Sequence, residues 1–122
     1  MLLGESFLMP TPGHSWDHLW IVISNPQNHA GTFIVVNLTT DLARAGKECS
    51  LDRGEHRWIT QKCYVNFADA LEITQEKEAH IQTLVACKKI TMHDTLDVAI
   101  LQKIIVAAKQ SKALPVKFRK YL

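Results

Sequence analysis

Hydrophobic and polar positions in the first half of the chain alternate in short runs that are typical of β-strands. The two clearest runs, 20–24 and 33–36, are rich in β-branched and aromatic residues. A polar loop containing Asn25, Pro26 and Gly31 separates them, which predicts an antiparallel pair. Because both runs are almost continuously apolar, we expect them to form central strands of a sheet.

Further short runs predict a larger β-structure around this pair. They lie at 7–9, 49–51, 58–60, 64–67 and 70–73. A loop is expected over Pro10–Ser15, because its prolines and glycine cannot continue regular structure. One helical turn is expected from Asp41 to Gly46. Several short strands with turns between them indicate a small barrel or a strongly curled sheet.

The period of the pattern changes after residue 73. Thr74 is predicted to cap a helix that carries Ile81, Leu84 and Val85 on one face. A stronger helix is predicted to begin near Asp94. Its apolar stripe consists of Leu96, Ile100, Ile104, Ala107 and Ala108, and the stripe is widened by Val98, Leu101 and Ile105. The sequence therefore predicts an α+β domain over 1–122, with a mainly β part at 1–73 and a helical segment with a basic tail at 74–122.

The basic tail after Pro115 admits two interpretations. Its lysines and arginine, interleaved with Phe118 and Tyr121, are suited to grip a phosphate backbone, or the two aromatic rings dock on the body of the protein.

Composition narrows the class of protein. The chain has 122 residues, with 14 Lys and Arg against 12 Asp and Glu, so it is far less basic than dedicated nucleic-acid binders. No apolar run is long enough to cross a membrane, and the first residues do not resemble a secretory signal. Cys49, Cys63 and Cys87 are odd in number and lack a C-x-x-C spacing, which favours reduced thiols in a cytoplasmic protein.

Histidines and strand-end hydroxyls are the candidates for chemistry. His18 and His56 each stand just before a predicted strand, where imidazole is suited to acid–base work or to a structural hydrogen bond. Thr39 and Ser24 end two strands, where each hydroxyl either bonds the backbone or positions a phosphate or ribose. His14 and His18 are four residues apart, but Pro12 and Gly13 disfavour a helix there, so we expect no metal or cofactor.

Four segments together resemble the MazF/PemK toxin family: 18–26, 33–40, 54–70 and 111–119. Proteins of that family have an SH3-like barrel with added helices. The resemblance implies a metal-independent endoribonuclease that cleaves single-stranded RNA. It also implies a cognate antitoxin as partner and a homodimer.

The resemblance also implies roles for individual residues. His18 would be base or acid, His56 its counterpart, and Thr39 matches the strand-end threonine of the family. The substrate contacts would be Arg57, Lys62, Ser24 and Tyr64. His18 stands where the family usually has an arginine, and Cys63 where this branch more often has serine. The alternative function is therefore a non-catalytic protein- or nucleic-acid-binding module on the same fold.

Overall fold

The computed structural model describes residues 1–11, 13 and 16–122, which form a six-stranded antiparallel sheet packed between helices. The strands are β1 (Ser6–Pro10), β2 (Asp17–Val22), β3 (Phe33–Thr39), β4 (Ser50–Leu51), β5 (Cys63–Ile73) and β6 (Thr91–His93). Their order across the sheet is β4-β5-β3-β2-β1-β6. The predicted loop at 10–15 lies partly outside the described residues, and so does His14, half of the His14/His18 spacing.

The predicted central pair is confirmed as β2 and β3. Trp20 lies opposite Asn37 and Val22 opposite Val35. The connecting loop contains a 3₁₀ helix, Pro26–His29, and then Gly31 with a φ of 88°. The left-handed conformation of Gly31 favours glycine, and a Cβ there would lie 2.5 Å from the Gln75 side chain and displace it.

Three α-helices complete the fold: α1 (Leu42–Ala45), α2 (Gln75–Ala86) and α3 (Val98–Gln110). The Thr74 hydroxyl accepts the Lys77 N–H, so the predicted cap of α2 is confirmed. The last helix begins later than expected, because Asp97 caps it and Asp94 belongs to the preceding loop. Val98 is 72% exposed, so its predicted place in the buried stripe is wrong, whereas Ile104 is fully buried.

Each face of the sheet carries its own hydrophobic core. On one face, residues such as Leu19 and Val65 pack with Ile104 of α3. The 3₁₀ helix Val116–Tyr121 adds its two buried aromatic rings, Phe118 and Tyr121, to this core, which confirms that the tail docks on the body of the protein. On the other face, α2 packs through Ile81 against a second core made by Phe7, Trp20, Val22, Phe33 and Val35.

The α+β class is confirmed, but the sheet does not close into the expected barrel. Its edges are β4, with two residues, and β6, with three, and helices rather than further strands cover both faces. The strand expected at 58–60 is also wrong: this segment belongs to the loop between β4 and β5, where His56 supplies acceptors for nearby backbone N–H groups. The runs 64–67 and 70–73 are parts of one long strand, β5.

Among the residues described, no helix has the length and apolar character needed to cross a membrane.

Candidate functional site

A cavity of about 320 Å³ opens at one end of the sheet. β2 and β5 begin here and β3 ends here, because neighbouring strands are antiparallel. The lining residues come from these strand ends and from two loops: Trp16, Asp17, His18, Leu38, Thr39, Thr40, Asp41, Arg44, Trp58 and Cys63. The sheet topology thus brings His18 and Thr39, two of the predicted site residues, to one cavity.

A second cavity of about 290 Å³ adjoins the first. The two share Thr40, Trp58 and Cys63, and the second extends along the loop 59–61. Together they form a groove across the end of the sheet, which we call the sheet-end groove.

His18 is 6% exposed, and side chains hold both of its ring nitrogens. The Trp16 indole N–H donates to Nε2 at 3.3 Å, and Thr11 Oγ1 lies 2.8 Å from Nδ1. An indole nitrogen only donates, so Nε2 is the acceptor, and the proton of the neutral ring is on Nδ1, where it donates to Thr11. His18 therefore carries its basic nitrogen on the side of Trp16, a residue that is 57% exposed.

Thr39 ends β3 and begins a turn that leads back to the cavity. Its hydroxyl accepts the Asp41 N–H at 3.1 Å. The Asp41 carboxylate in turn accepts the Ala43 N–H at 3.1 Å and caps the single turn of α1. One turn later, Arg44 projects into the cavity lining.

The Arg44 guanidinium is held by Asp69 of β5. Nε and Nη2 donate to the same carboxylate oxygen, at 3.2 and 2.6 Å. Asn66 Nδ2 donates to that oxygen as well, at 3.0 Å, so Asp69 is itself fixed. A guanidinium has five N–H donors, and this arrangement positions a cation that can still bind an oxyanion.

Two buried asparagines lie across from each other deeper in the sheet. Asn37 of β3 is the register partner of Asn66 of β5, and they are 1% and 0% exposed. The Asn37 amide and Asn66 Oδ1 have no hydrogen-bond partner among the described residues. Each buried polar group without a hydrogen bond lowers the free energy of unfolding by about 1–3 kcal/mol. This part of the sheet is therefore more polar than packing alone would favour.

Cys63 is a poor nucleophile despite lining the cavity. Burial, followed by the nearby Glu55 carboxylate, raises the pKa of its thiol to about 11. The thiol is therefore protonated at neutral pH, and the thiolate is the reactive form.

The structure does not bring His56 to the cavity. The ring is 7% exposed; Nδ1 accepts the Trp58 N–H at 3.0 Å, so Nε2 carries the proton and donates to the Asp94 carbonyl oxygen at 3.0 Å. Its centroid lies 5.0 Å from that of His93. The structure therefore brings His18 and Thr39 to the cavity and places His56 outside it, because the His56 ring fastens its loop to the segment after β6.

The four predicted substrate contacts are scattered. Arg57 is exposed and pairs with Asp94, its Nε 3.1 Å from Oδ2. Ser24 is buried at the far end of the β2–β3 hairpin, where its hydroxyl accepts the Ile34 N–H at 2.9 Å. Tyr64 is the register partner of Thr39 and half-buried, and Lys62 is exposed, next to Gln61 of the sheet-end groove; neither lines the first cavity.

Sequence reasoning missed Arg44 and Asp41 as cavity residues. The signal was present, because the predicted turn from Asp41 to Gly46 follows Thr39 directly, and one helical turn returns residue 44 to the strand end. Trp16 carried no comparable signal, since its contact with His18 depends on how the preceding loop folds.

Comparison with solved structures supports the fold, whereas comparison of sequences identifies no relative. No known protein family matches the sequence, and no curated protein is significantly similar to it. A solved structure described as an endoribonuclease in complex with its cognate antitoxin, from a mycobacterial species, is similar with a TM-score of 0.56 and 19% identity. The match covers 94% of this chain and 97% of that one, so the two proteins share their fold.

Proposed function

We propose that this protein is a toxin-like, metal-independent endoribonuclease that cleaves single-stranded RNA. The observation that carries the proposal is the cavity that joins His18, Thr39 and Arg44 at the end of the sheet. A shared fold hosts many functions, so the likeness to an endoribonuclease adds weight only because the cavity holds a base, a hydroxyl and a cation.

In the proposed reaction, His18 Nε2 takes the proton of a ribose 2′-OH. The 2′-oxygen attacks the adjacent phosphorus, a bond forms between them, and the bond from phosphorus to the 5′-oxygen breaks. The products are a 2′,3′-cyclic phosphate and a 5′-hydroxyl. Because His56 lies outside the cavity, we assign the proton taken up by the 5′-oxygen to a water molecule. The hydroxide that remains then takes the proton from His18, which restores water and the neutral imidazole.

Arg44 and Thr39 would act on the phosphate. The guanidinium, positioned by Asp69, would stabilise the charge that develops on the phosphoryl oxygens. Thr39 would orient the substrate, and the exposed Lys62 and the half-buried Tyr64 would contact RNA that extends along the sheet-end groove. Arg57 and Ser24 are left out of this assignment because other residues engage them.

To attack, a 2′-OH must reach the nitrogen that the Trp16 indole now occupies. Trp16 is exposed and lies in a loop, so its ring is placed to swing away and stack against a base. The proposal therefore includes a displacement of Trp16 when RNA binds.

We further propose that the protein belongs to a toxin–antitoxin pair of the MazF/PemK type, acts in the cytoplasm and forms a homodimer. The solved structure that it resembles was determined with a cognate antitoxin. The open sheet departs from the SH3-like barrel of that family, so the relationship would be a distant one.

The alternative is a non-catalytic module that binds protein or nucleic acid in the sheet-end groove. One observation favours it: the His18 nitrogen that would act as base is already hydrogen-bonded to Trp16.

The deciding experiment is cleavage of a diverse single-stranded RNA pool with EDTA present. We expect fragments that end in cyclic phosphate, and their loss in His18→Ala but not in His80→Ala, an exposed histidine far from the groove. Intact RNA, with an antitoxin-like partner still bound tightly, would establish the binding module instead. Equal cleavage by all three proteins would indicate a contaminating nuclease.

A further inference from the structure

The proposed cleavage cavity is poorly suited to attract RNA. With His18 neutral, the charged residues among its described lining are Asp17, Asp41 and Arg44, which sum to one negative charge. Arg44 is in addition paired with Asp69. Single-stranded RNA is a polyanion whose affinity comes largely from contacts between cations and phosphates. If RNA binds, cations outside this lining must hold its backbone; Lys62 beside the sheet-end groove is one, and a longer RNA needs more.

A cavity of about 370 Å³ at the other end of β5 has the opposite charge. Three lysines from two elements line it: Lys77 of α2, and Lys117 and Lys120 of the C-terminal 3₁₀ helix. The remaining lining residues are Ala70, Leu71, Glu72 and Phe118. Among these described residues the one carboxylate, Glu72, accepts a hydrogen bond from the Tyr121 hydroxyl. We call this cavity the lysine pocket.

Neighbouring groups hold the three ammonium groups of the lysine pocket in place. Lys77 Nζ donates to the Glu72 carbonyl oxygen at 3.3 Å. Lys117 and Lys120 each place Nζ 5.2 Å from the centre of a buried ring, Phe118 and Tyr121. Cation–π contacts of this kind restrain the lysines, so binding an anion orders them less than it would order freely rotating side chains.

The position of the lysine pocket connects it to the cavity. β4 pairs with Cys63 and Tyr64, and no strand in the described part of the chain covers the outer edge of β5 further along. Cys63 lines the cavity and Leu71 lines the pocket, eight residues or roughly 26 Å apart along the strand. Between them, Arg44 of the cavity lining contacts Asp69, which directly precedes Ala70 of the pocket.

We propose that the lysine pocket binds the phosphate backbone of the single-stranded RNA whose cleavage site lies in the cavity. The pocket supplies the electrostatic affinity that the cavity lacks, and it acts only on RNA long enough to reach both ends of β5. A footprint of this size falls within the 4–16 nucleotides that single-strand binding folds typically cover. This inference rests on the proposed function for the identity of the polyanion.

The test measures binding rather than cleavage. A fluorescent 2′-O-methyl RNA of about 16 nucleotides cannot be cut through its 2′-oxygen and has the longest typical footprint. Its affinity is measured by anisotropy from 0.1 to 1 M salt for three proteins. These are the wild type, the variant Lys77→Gln/Lys117→Gln/Lys120→Gln, and the matched control Lys47→Gln/Lys88→Gln/Lys89→Gln, which removes three exposed lysines outside the pocket. Thermal melts show that each protein is folded.

We expect the pocket variant to bind about 100-fold more weakly at 0.1 M salt and to approach the wild type at 1 M. Three phosphate contacts contribute about 2 to the slope of log affinity against log salt, since each contributes about 0.7 on a single strand. The control should retain the wild-type slope. A dinucleotide, too short to reach the pocket, should bind wild type and pocket variant equally.

Equal slopes for the pocket variant and its control would overturn the proposal, even if the protein cleaves RNA. Conversely, a protein that never cleaves RNA but shows the expected slopes would retain the lysine pocket and lose only the proposed catalysis. Loss of polyglutamate binding by the pocket variant, with RNA binding unchanged, would assign the pocket to an acidic protein segment and overturn it as well. If the pocket variant alone aggregates while its RNA binding is unchanged, the three lysines serve to protect an open sheet edge from association. That result would also overturn the proposal.

Discussion

The surroundings of His18 and His56 differ in a way that separates a reactive histidine from a structural one. Both rings are almost fully buried, and both have hydrogen bonds on two ring nitrogens. The partners of His18 include the side chains of Thr11 and Trp16, at the wall of a cavity. The closest partners of His56 are a backbone N–H and a backbone carbonyl, each at 3.0 Å, and the Ser6 hydroxyl lies further away, 3.4 Å from Nε2. Side-chain partners can rotate away for a substrate, whereas backbone partners leave only when the loop itself unfolds.

The largest expected difference is in catalysis. His18→Ala should lower the rate of RNA cleavage by 10²- to 10⁴-fold, the usual effect of losing a general base. His56→Ala should change the rate by less than tenfold, once only folded protein is counted. Single-turnover cleavage with excess protein measures both. If His56→Ala proves the more damaging, the comparison is reversed and the site lies near β6.

The alkylation rates of the cysteine thiols test how accessible the wall of the cavity beside His18 is. With its pKa raised to about 11 by burial and then by Glu55, Cys63 should react with iodoacetamide about 100-fold more slowly than a thiol with an ordinary pKa of 9. Exposed Cys87 should react first. Peptide mapping after timed alkylation assigns each rate. Rapid labelling of Cys63 would show that the cavity opens further than its geometry indicates.

In contrast to catalysis, stability should be affected more by substitution of His56 than by substitution of His18. His56→Ala should lower the free energy of unfolding by about 1–3 kcal/mol, because it leaves the Trp58 N–H without a partner and the Asp94 carbonyl with the Ser6 hydroxyl alone of its two donors. His18→Ala should be less destabilising, since the Trp16 indole can reach water. Urea denaturation of the two variants measures the difference. Equal midpoints would contradict the structural role of His56.

Mild acid should weaken the His56 region by a smaller amount. Burial, and then electrostatic interaction with the neighbouring His56 ring, lower the pKa of His93 from its ordinary 6.5. The unfolded chain therefore binds this proton more readily, and the contribution to stability is complete above pH 6.5 and is lost as the pH falls through the folded value. Melting temperatures at pH 7 and pH 5 should fall less in His93→Gln than in the wild type. Parallel curves would count against this contribution.

Much of the fold followed from local chemistry that the sequence shows directly. The β2–β3 pair was predictable from two apolar runs around turn residues, and the ends of α1 and α2 from Asp41, Gly46 and Thr74. Each of these signals acts within a few residues. The segment 58–60 was mispredicted for the same reason: its residues favour a strand, but the hydrogen bonds to His56 hold it in a loop.

The candidate site was only partly predictable because distant segments assemble it. The family resemblance gave His18 and Thr39 a common site, and the sheet brings them together because the start of β2 and the end of β3 lie at the same end of an antiparallel pair. The position of His56 depends on the Asp94 carbonyl, 38 residues away, and the hold on Arg44 depends on Asp69, 25 residues away. Whether the sheet closes also depended on long-range packing, because α2 and α3 cover the two faces where a barrel would curl.

The pairing of β1 with β6 determines the order in which parts of the fold can form while the chain is being synthesised. The hairpin that carries His18 and Thr39 can pair once residue 40 is free, whereas the Ser6 hydroxyl bonds the Asp94 carbonyl across 88 residues. At roughly 5–20 residues per second, the ribosome needs about 3–11 s to make the intervening segment. During that interval the loop bearing His56 has nowhere to dock, and the N-terminal strand has an unpaired edge. The cavity is thus framed early in synthesis, and the protein becomes complete only when its last third has been made.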